Sequence, residues 1–337
     1  MGIYVTAVVQ QEEKLDVEWR LYKQASLAPN TRSVYLVHIR NFLGFCHYFG
    51  YTAALASPIT QCRYAAYLAR THSPPSIRCY MSGVRHLHLE FDHTPQTSDY
   101  HLTSVLKGIA VTKGTVPKQK LPITTDILLT LYKHLDLTDS FNLCFWSACL
   151  VGFFTFARKA TLLTKTQTSH CCRRDMCRRD FTFDGKTAML RIKHTKTIQT
   201  FSRELIIPLP VIEGSILCPV TTLLRSLLLS KQPPAAALFS YKSGEATLPL
   251  THSAFTNTLA CILQQAGYDC KDYSGHSLRR GGATFALACG LPTEVIKAQG
   301  DWASNAYERY TNTSLELRVK CAKVLGQHIE SIHKTTK

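Results

Sequence analysis

The sequence predicts a mainly α-helical chain of the α+β class: a helical N-terminal domain, then a larger domain holding a small three-stranded antiparallel sheet. Three observations carry this reading. Apolar residues recur at helical spacing between proline and serine punctuation through residues 15–111. Periodicity is lost over residues 112–121, where Gly114, Pro117 and three lysines give the composition of an exposed linker. Over residues 181–207 the period drops to two around an Asp184-Gly185 turn. The expected organisation is a flexible N-terminus (1–14), a helical domain (15–111), a linker (112–121) and a mixed domain (122–337).

In the first domain, helices are expected after Pro29 and Asn30, with Val34, Val37, Phe42 and Phe45 on the apolar face, after Ser57-Pro58, after Pro74-Pro75 and after Ser98-Asp99. Serine suits a helix cap and proline the first helical position. In the second, helices over 123–134 and 140–157 precede strands at 181–183, 189–192 and 205–207. Helices over 219–230, 251–267, 277–290, 292–300 and 314–334 follow. The most apolar stretch, 143–157, is interrupted by Ser147, Gly152 and Thr155 and is too short to cross a bilayer, so it reads as a buried helix. There is no internal repeat and no low-complexity tract.

Composition then narrows the partner. The 337 residues carry 39 Lys+Arg against 23 Asp+Glu, a formal charge of +16, which favours an acidic partner such as nucleic acid. With 45% hydrophobic and 18% charged residues the chain can bury real cores, which excludes a disordered polyelectrolyte. The excess is uneven: from Trp19 to Leu89 there is no Asp or Glu, yet eight Lys or Arg occur. The N-terminus lacks a basic segment followed by an apolar core, so secretion is not expected. Thirteen scattered cysteines suit a reducing compartment, cytosol or nucleus, better than a disulfide scaffold.

The densest group of reactive residues is Gly275-His276-Ser277-Leu278-Arg279-Arg280-Gly281-Gly282. His276 and Arg279, three apart at a helix start, project to one side near the first-turn amides, a geometry that suits a phosphate. Upstream stands Phe156-Ala157-Arg158-Lys159-Ala160-Thr161. Lys193-His194-Thr195-Lys196 falls in the turn between the second and third strands, and Gly300-Asp301-Trp302 with Ala306-Tyr307-Glu308-Arg309-Tyr310 comes last. No Walker loop, paired catalytic carboxylates or Gly-x-Ser-x-Gly elbow is present. His170-Cys171-Cys172 with Cys177 matches no common zinc-ligand spacing, and no metal is expected there.

In this order, Arg158, Lys196, His276-x-x-Arg279, Trp302 and Tyr310 resemble the tyrosine recombinase family across residues 15–325. Lys196-Thr197-Ile198-Gln199, Cys218-Pro219-Val220 and the Gly-x-Trp and Ala-Tyr-x-Arg-Tyr motifs look like the recombinases of DIRS/Ngaro-like and Crypton-like eukaryotic mobile elements. The resemblance implies a SAM-like core-binding domain and a catalytic domain that close as a clamp on duplex DNA. It further implies four protomers on two duplexes and a nuclear site of action. It implies strand cleavage and rejoining, without metal or other cofactor, through a 3′-phosphotyrosyl intermediate. Tyr310 would be the nucleophile and Lys196 the acid for the departing 5′ oxygen. Arg158 and Arg279 would hold the phosphate, His276 would bond it or move the tyrosine proton, and Trp302 would pack on the site and donate its indole N–H.

Rivals stand beside several of these. Lys193 competes with Lys196, which is preferred at the expected turn tip. Tyr307 competes with Tyr310, which is preferred for its distance from Gly-x-Trp, and Asp301 competes with Trp302. The family places an acidic residue three after the first arginine, where this chain has Thr161. That departure motivates a second reading, a domesticated DNA-binding protein without strand transfer; a type IB topoisomerase is a third. Arg32, Arg40, Arg78 and Arg85 are the expected DNA contacts of the first domain, and Arg173, Arg174 and Arg280 those of the second. Residues 315–332 are expected to dock either in cis or on a neighbouring protomer. No membrane partner is expected.

Overall fold

The computed structural model of the protein describes residues 2–91, 100–114, 119–195, 198 and 203–302, with side chains from residue 11 onward. They group into two compact units, Met1–Lys118 and Gln119–Lys337.

The first unit is helical: α1 (Gly2–Ala25), α2 (Pro29–Phe49), α3 (Pro58–Leu68), α4 (Pro74–Glu90) and α5 (Tyr100–Lys113). Prolines open α2, α3 and α4, and Ser57 Oγ accepts from the Thr60 amide at 3.2 Å. α1 corrects the expectation of a flexible stretch over 1–14. Residues 3–25 contain neither proline nor glycine, so nothing in the sequence stops a helix there. The core gathers Phe42, Phe45, Tyr64, Leu68, Ile77 and Val84. α2 and α4 meet at Gly83, where an added Cβ would lie 2.5 Å from that of His38, so only glycine fits this crossing.

The second unit is built around α7 (Ser140–Thr155), preceded by α6 (Thr125–Lys133) and followed by the single turn α8 (Lys159–Leu162). Asp139 caps α7 by accepting from the Asn142 amide at 2.8 Å. From Leu143 to Phe153 every α7 side chain is buried, which is why its sequence is apolar all round rather than along one stripe. Among the described residues no helix is long and apolar enough to cross a membrane.

The sheet has strands β1 (Phe181–Phe183), β2 (Ala188–Ile192) and β3 (Leu205–Leu209) in that spatial order, all antiparallel. Ala188, Leu190 and Ile192 point into the core while Met189 and Arg191 alternate outward. Pro208 sits in β3 opposite Met189, on an edge strand where a missing N–H costs no ladder bond. A second hairpin, β4 (Ser240–Ser243) with β5 (Ala246–Pro249), was not expected, because Ser240-Tyr241-Lys242-Ser243 has no apolar alternation to signal it. α9 (Pro219–Leu229), α10 (His252–Gln265), α11 (Ser277–Ala288) and α12 (Thr293–Gln299) complete the described part.

The packing that places the site lies between α11 and the end of α7. A Cβ on Gly282 would overlap the Phe153 carbonyl oxygen, and one on Gly281 would overlap the backbone of Ile123. α11 therefore packs backbone against backbone, closer than any side chain permits. Gly282→Ala is expected to lower the stability of the full-length protein by about 1–3 kcal/mol, read as a drop in the urea unfolding midpoint at unchanged slope.

Candidate active site

α7 ends in a left-handed turn: Phe156 has φ 51°, a conformation that costs a bulky residue of order 1 kcal/mol. The turn aims the Phe156 carbonyl at α11 and starts α8 at once, with Arg158 as its cap residue. Arg279 meets that carbonyl. Its Nη1 donates to Phe156 O and its Nη2 to Gly300 O at 2.7 Å, and its guanidinium carbon lies 3.8 Å from the Trp302 ring centroid. The side chain is 1% exposed, so it is a fixed, preorganised cation rather than the open bidentate fork its place near a helix start suggested. Trp302, 6% exposed, also packs on Phe156, Ala283, Ala286 and Ile296. Its ring crosses Gly300 so closely that a Cβ there would overlap it.

His276 stands at the start of α11 with an exposed edge. Partial desolvation, followed by the charges of Arg158, Arg279 and Lys159, holds its imidazole below the ordinary 6.5. The ring is thus neutral near pH 7 and able to accept a proton. Lys159 enters this cluster because Gly275 has no side chain. A Cβ at Gly275 would lie 2.6 Å from Lys159 Cδ, and the lysine reaches past it to donate to Thr256 Oγ1 at 2.8 Å. Sequence reasoning passed over Lys159; the one signal was its place directly after Arg158.

The β2–β3 connection begins with Lys193. Lys193 Nζ lies 2.6 Å from Asp180 Oδ2 and donates to Cys172 O at 2.9 Å, and the Asp180 carboxylate is fully buried. An ammonium held this way is committed to the fold. Two residues on, Thr195 Oγ1 donates to Asp301 Oδ2 at 2.5 Å, and Arg203 Nη2 donates to the other carboxylate oxygen. A crevice brings Arg158, Thr161, Thr195, Arg279 and Asp301 together, and Asp301 is the acid among its lining residues. Lys196, Tyr307, Tyr310 and residues 315–332 lie outside the described residues.

No family model matches the chain. An integrase/recombinase xerD homolog of Selenomonas ruminantium is 25% identical over 304 residues, which cover 87% of this chain and 84% of that protein. Among solved structures, the Tn1549 transposon integrase in complex with transposon right end DNA aligns over 92% of this chain and 98% of its own, with TM-score 0.61 and 13% identity. A lambda integrase dimer bound to a COC′ core site aligns over 89% and 95%, with TM-score 0.56 and 14% identity. XerH site-specific recombinase bound to palindromic difH aligns over 88% and 79%, with TM-score 0.55 and 14% identity. The chain has the tyrosine-recombinase fold.

On this recombinase fold the remaining candidates fall on different surfaces. Arg78 and Arg85 lie two turns apart on the exposed face of α4 with Cys79 and Ser82, and Arg40 is exposed on α2. Arg32 is exposed too, but it donates to Gln24 O at the end of α1. Arg173 is exposed, and Arg174 pairs with Asp175 at 2.9 Å. Arg280 is a correction. It is 6% exposed and donates to Lys120 O at 2.8 Å, because one helical step past Arg279 turns it toward the segment entering the second unit. Arg178, four residues after Arg174, turns inward and donates to the Leu227 and Ser230 carbonyls at the end of α9. Among the described residues every cysteine is free, and no group of three or more His, Cys, Asp or Glu could hold a metal ion.

The charge cluster makes a directional prediction. Arg158→Gln removes one cation from beside the imidazole, so the His276 titration midpoint, followed by NMR of the ring protons, is expected to rise toward 6.5.

Proposed function

We propose that the protein is a site-specific DNA recombinase that cuts and rejoins strands through a 3′-phosphotyrosyl intermediate formed on Tyr310. The carrying observation is that the recombinase fold brings Arg158, Arg279 and a neutral His276 to one place, from elements far apart in the chain. Two arginines and Lys159 make a positive site matched to a phosphodiester. Their charge, fixed before substrate arrives, offsets the negative charge that grows on phosphorus. His276 accepts the tyrosine proton as Tyr310 Oη attacks. The P–O5′ bond breaks as the new bond forms, and Lys196 protonates the departing oxygen. Lys193 is no rival for that task while it is held by Asp180.

DNA is held through its phosphates by both units, with Arg78 and Arg85 central on the first. Because sequence motifs resemble DIRS/Ngaro-like and Crypton-like elements, the proposed setting is a eukaryotic mobile element acting in the nucleus, with four protomers on two duplexes. Thr161, which leaves the expected acid absent from α8, favours a second reading, a DNA-binding protein of this fold that no longer transfers strands.

Covalent trapping separates the two. With nicked duplexes of randomised sequence and chelator present, the wild type is expected to yield a covalent protein–DNA band, and Tyr310→Phe none. A wild type that binds DNA yet traps nothing would establish the second reading, and a band lost in Tyr307→Phe but kept in Tyr310→Phe would reassign the nucleophile. Arg158→Ala is expected to slow adduct formation about 10²–10³-fold. Arg78→Glu with Arg85→Glu is expected to weaken DNA binding and to reduce the slope of log affinity against log salt by about 0.9 for each phosphate that is no longer neutralised.

A further inference from the structure

Asp301 is an unusual residue for its place. Its φ is 53°, in the left-handed region where glycine is freest, and its side chain is 7% exposed, so a carboxylate has been put where glycine would be easier and burial is costly. Both of its oxygens are engaged. One accepts from Thr195 and the other from Arg203, and these two residues flank positions 196–202 in the stretch between β2 and β3. Thr195 in turn receives the Ile198 amide on its hydroxyl at 3.1 Å and donates its own amide to Ile198 O at 3.3 Å. The neighbours of Asp301 hold the other half of the site: Gly300 O accepts from Arg279, and the Trp302 ring lies against it. Three consecutive residues thus link the buried Arg279 to Thr195 and Arg203, between which Lys196 falls in the sequence.

We propose that Asp301 is a positioning residue for protonation of the leaving group: its carboxylate holds Thr195 and Arg203, the described residues that flank Lys196 in the sequence, and its neighbour Gly300 holds Arg279. The proposal rests on the recombinase reading. In the step it serves, the Tyr310 Oη–P bond forms and the P–O5′ bond breaks, its electron pair departs on O5′, and the Lys196 ammonium gives that oxygen a proton. Asp301 touches none of the reacting atoms. Its loss is therefore expected to slow the reaction only where the leaving group needs a proton.

The test uses full-length protein, a nicked duplex selected from randomised sequence by covalent trapping with the wild type, and the same duplex with sulfur replacing the bridging 5′ oxygen. When the P–S bond breaks, the pair leaves on a thiolate that is stable at neutral pH without protonation. Asp301→Asn is expected to slow single-turnover cleavage of the oxygen substrate about 10²-fold while staying within a few-fold of wild type on the sulfur substrate. Lys196→Ala should show the same selectivity. Thr195→Val should share it and Thr195→Ser should not, which keeps the test available if Asp301→Asn does not fold. Equal slowing of Asp301→Asn and Thr195→Val on both substrates, or no slowing on either, overturns the proposal, as does a Lys196→Ala that sulfur fails to rescue. A wild type that traps no duplex is a separate result, because there the recombinase reading itself fails.

Discussion

The backbone-to-backbone packing of α11 on the end of α7 is the constraint on which the second unit depends. Gly281 and Gly282 remove the side chains that would hold the helix away, and the left-handed turn at Phe156 supplies the carbonyl that receives Arg279. With α11 at that distance, Arg279 and Arg158 fall on one crevice, and His276 comes under the field of both. The site is thus a product of close helix packing more than of any loop, and packing of this kind holds its side chains firmly in place.

Charge in the second unit is divided by burial. Some cations are structural: Lys193 on Asp180, Arg178 on the end of α9, Arg280 on the Lys120 carbonyl. Others, Arg158 and Lys159 with Arg279, gather around one histidine, whose basicity is lowered first by burial and then by their charges. Such an arrangement is unfavourable for the empty protein and becomes favourable when an anion arrives, so part of the folding free energy is held in reserve for substrate.

Much of this was legible in the residues. Helix starts were written in Ser57-Pro58 and Pro74-Pro75, the sheet in the Asp184-Gly185 turn and the alternation of β2, and the centre of the second core in the apolar run that became α7. The reactive motifs were legible as residue types and order. What sequence could not carry was direction. Adjacent Arg279 and Arg280 look alike in a string but point to different neighbours, since a helix turns each residue about 100° from the last. Lys193 was distinguishable from Lys196 only through the buried Asp180, which precedes it on another element. α1 and the β4–β5 hairpin were missed because the first lacks strong caps and the second lacks apolar alternation.

The Arg279 guanidinium draws its fixed geometry from the carbonyl of Phe156, 123 residues before it, and from Gly300 and Trp302 after it. During synthesis these partners leave the ribosome in that order, and the last of them emerges only when most of the chain has already been made. A nascent polypeptide that has folded its helical unit therefore still lacks a finished arginine clamp, and the Arg279 guanidinium takes its fixed geometry only once the chain has been made through Trp302. The chain's own linear order thus makes the buried cation one of the last parts of the second unit to be completed.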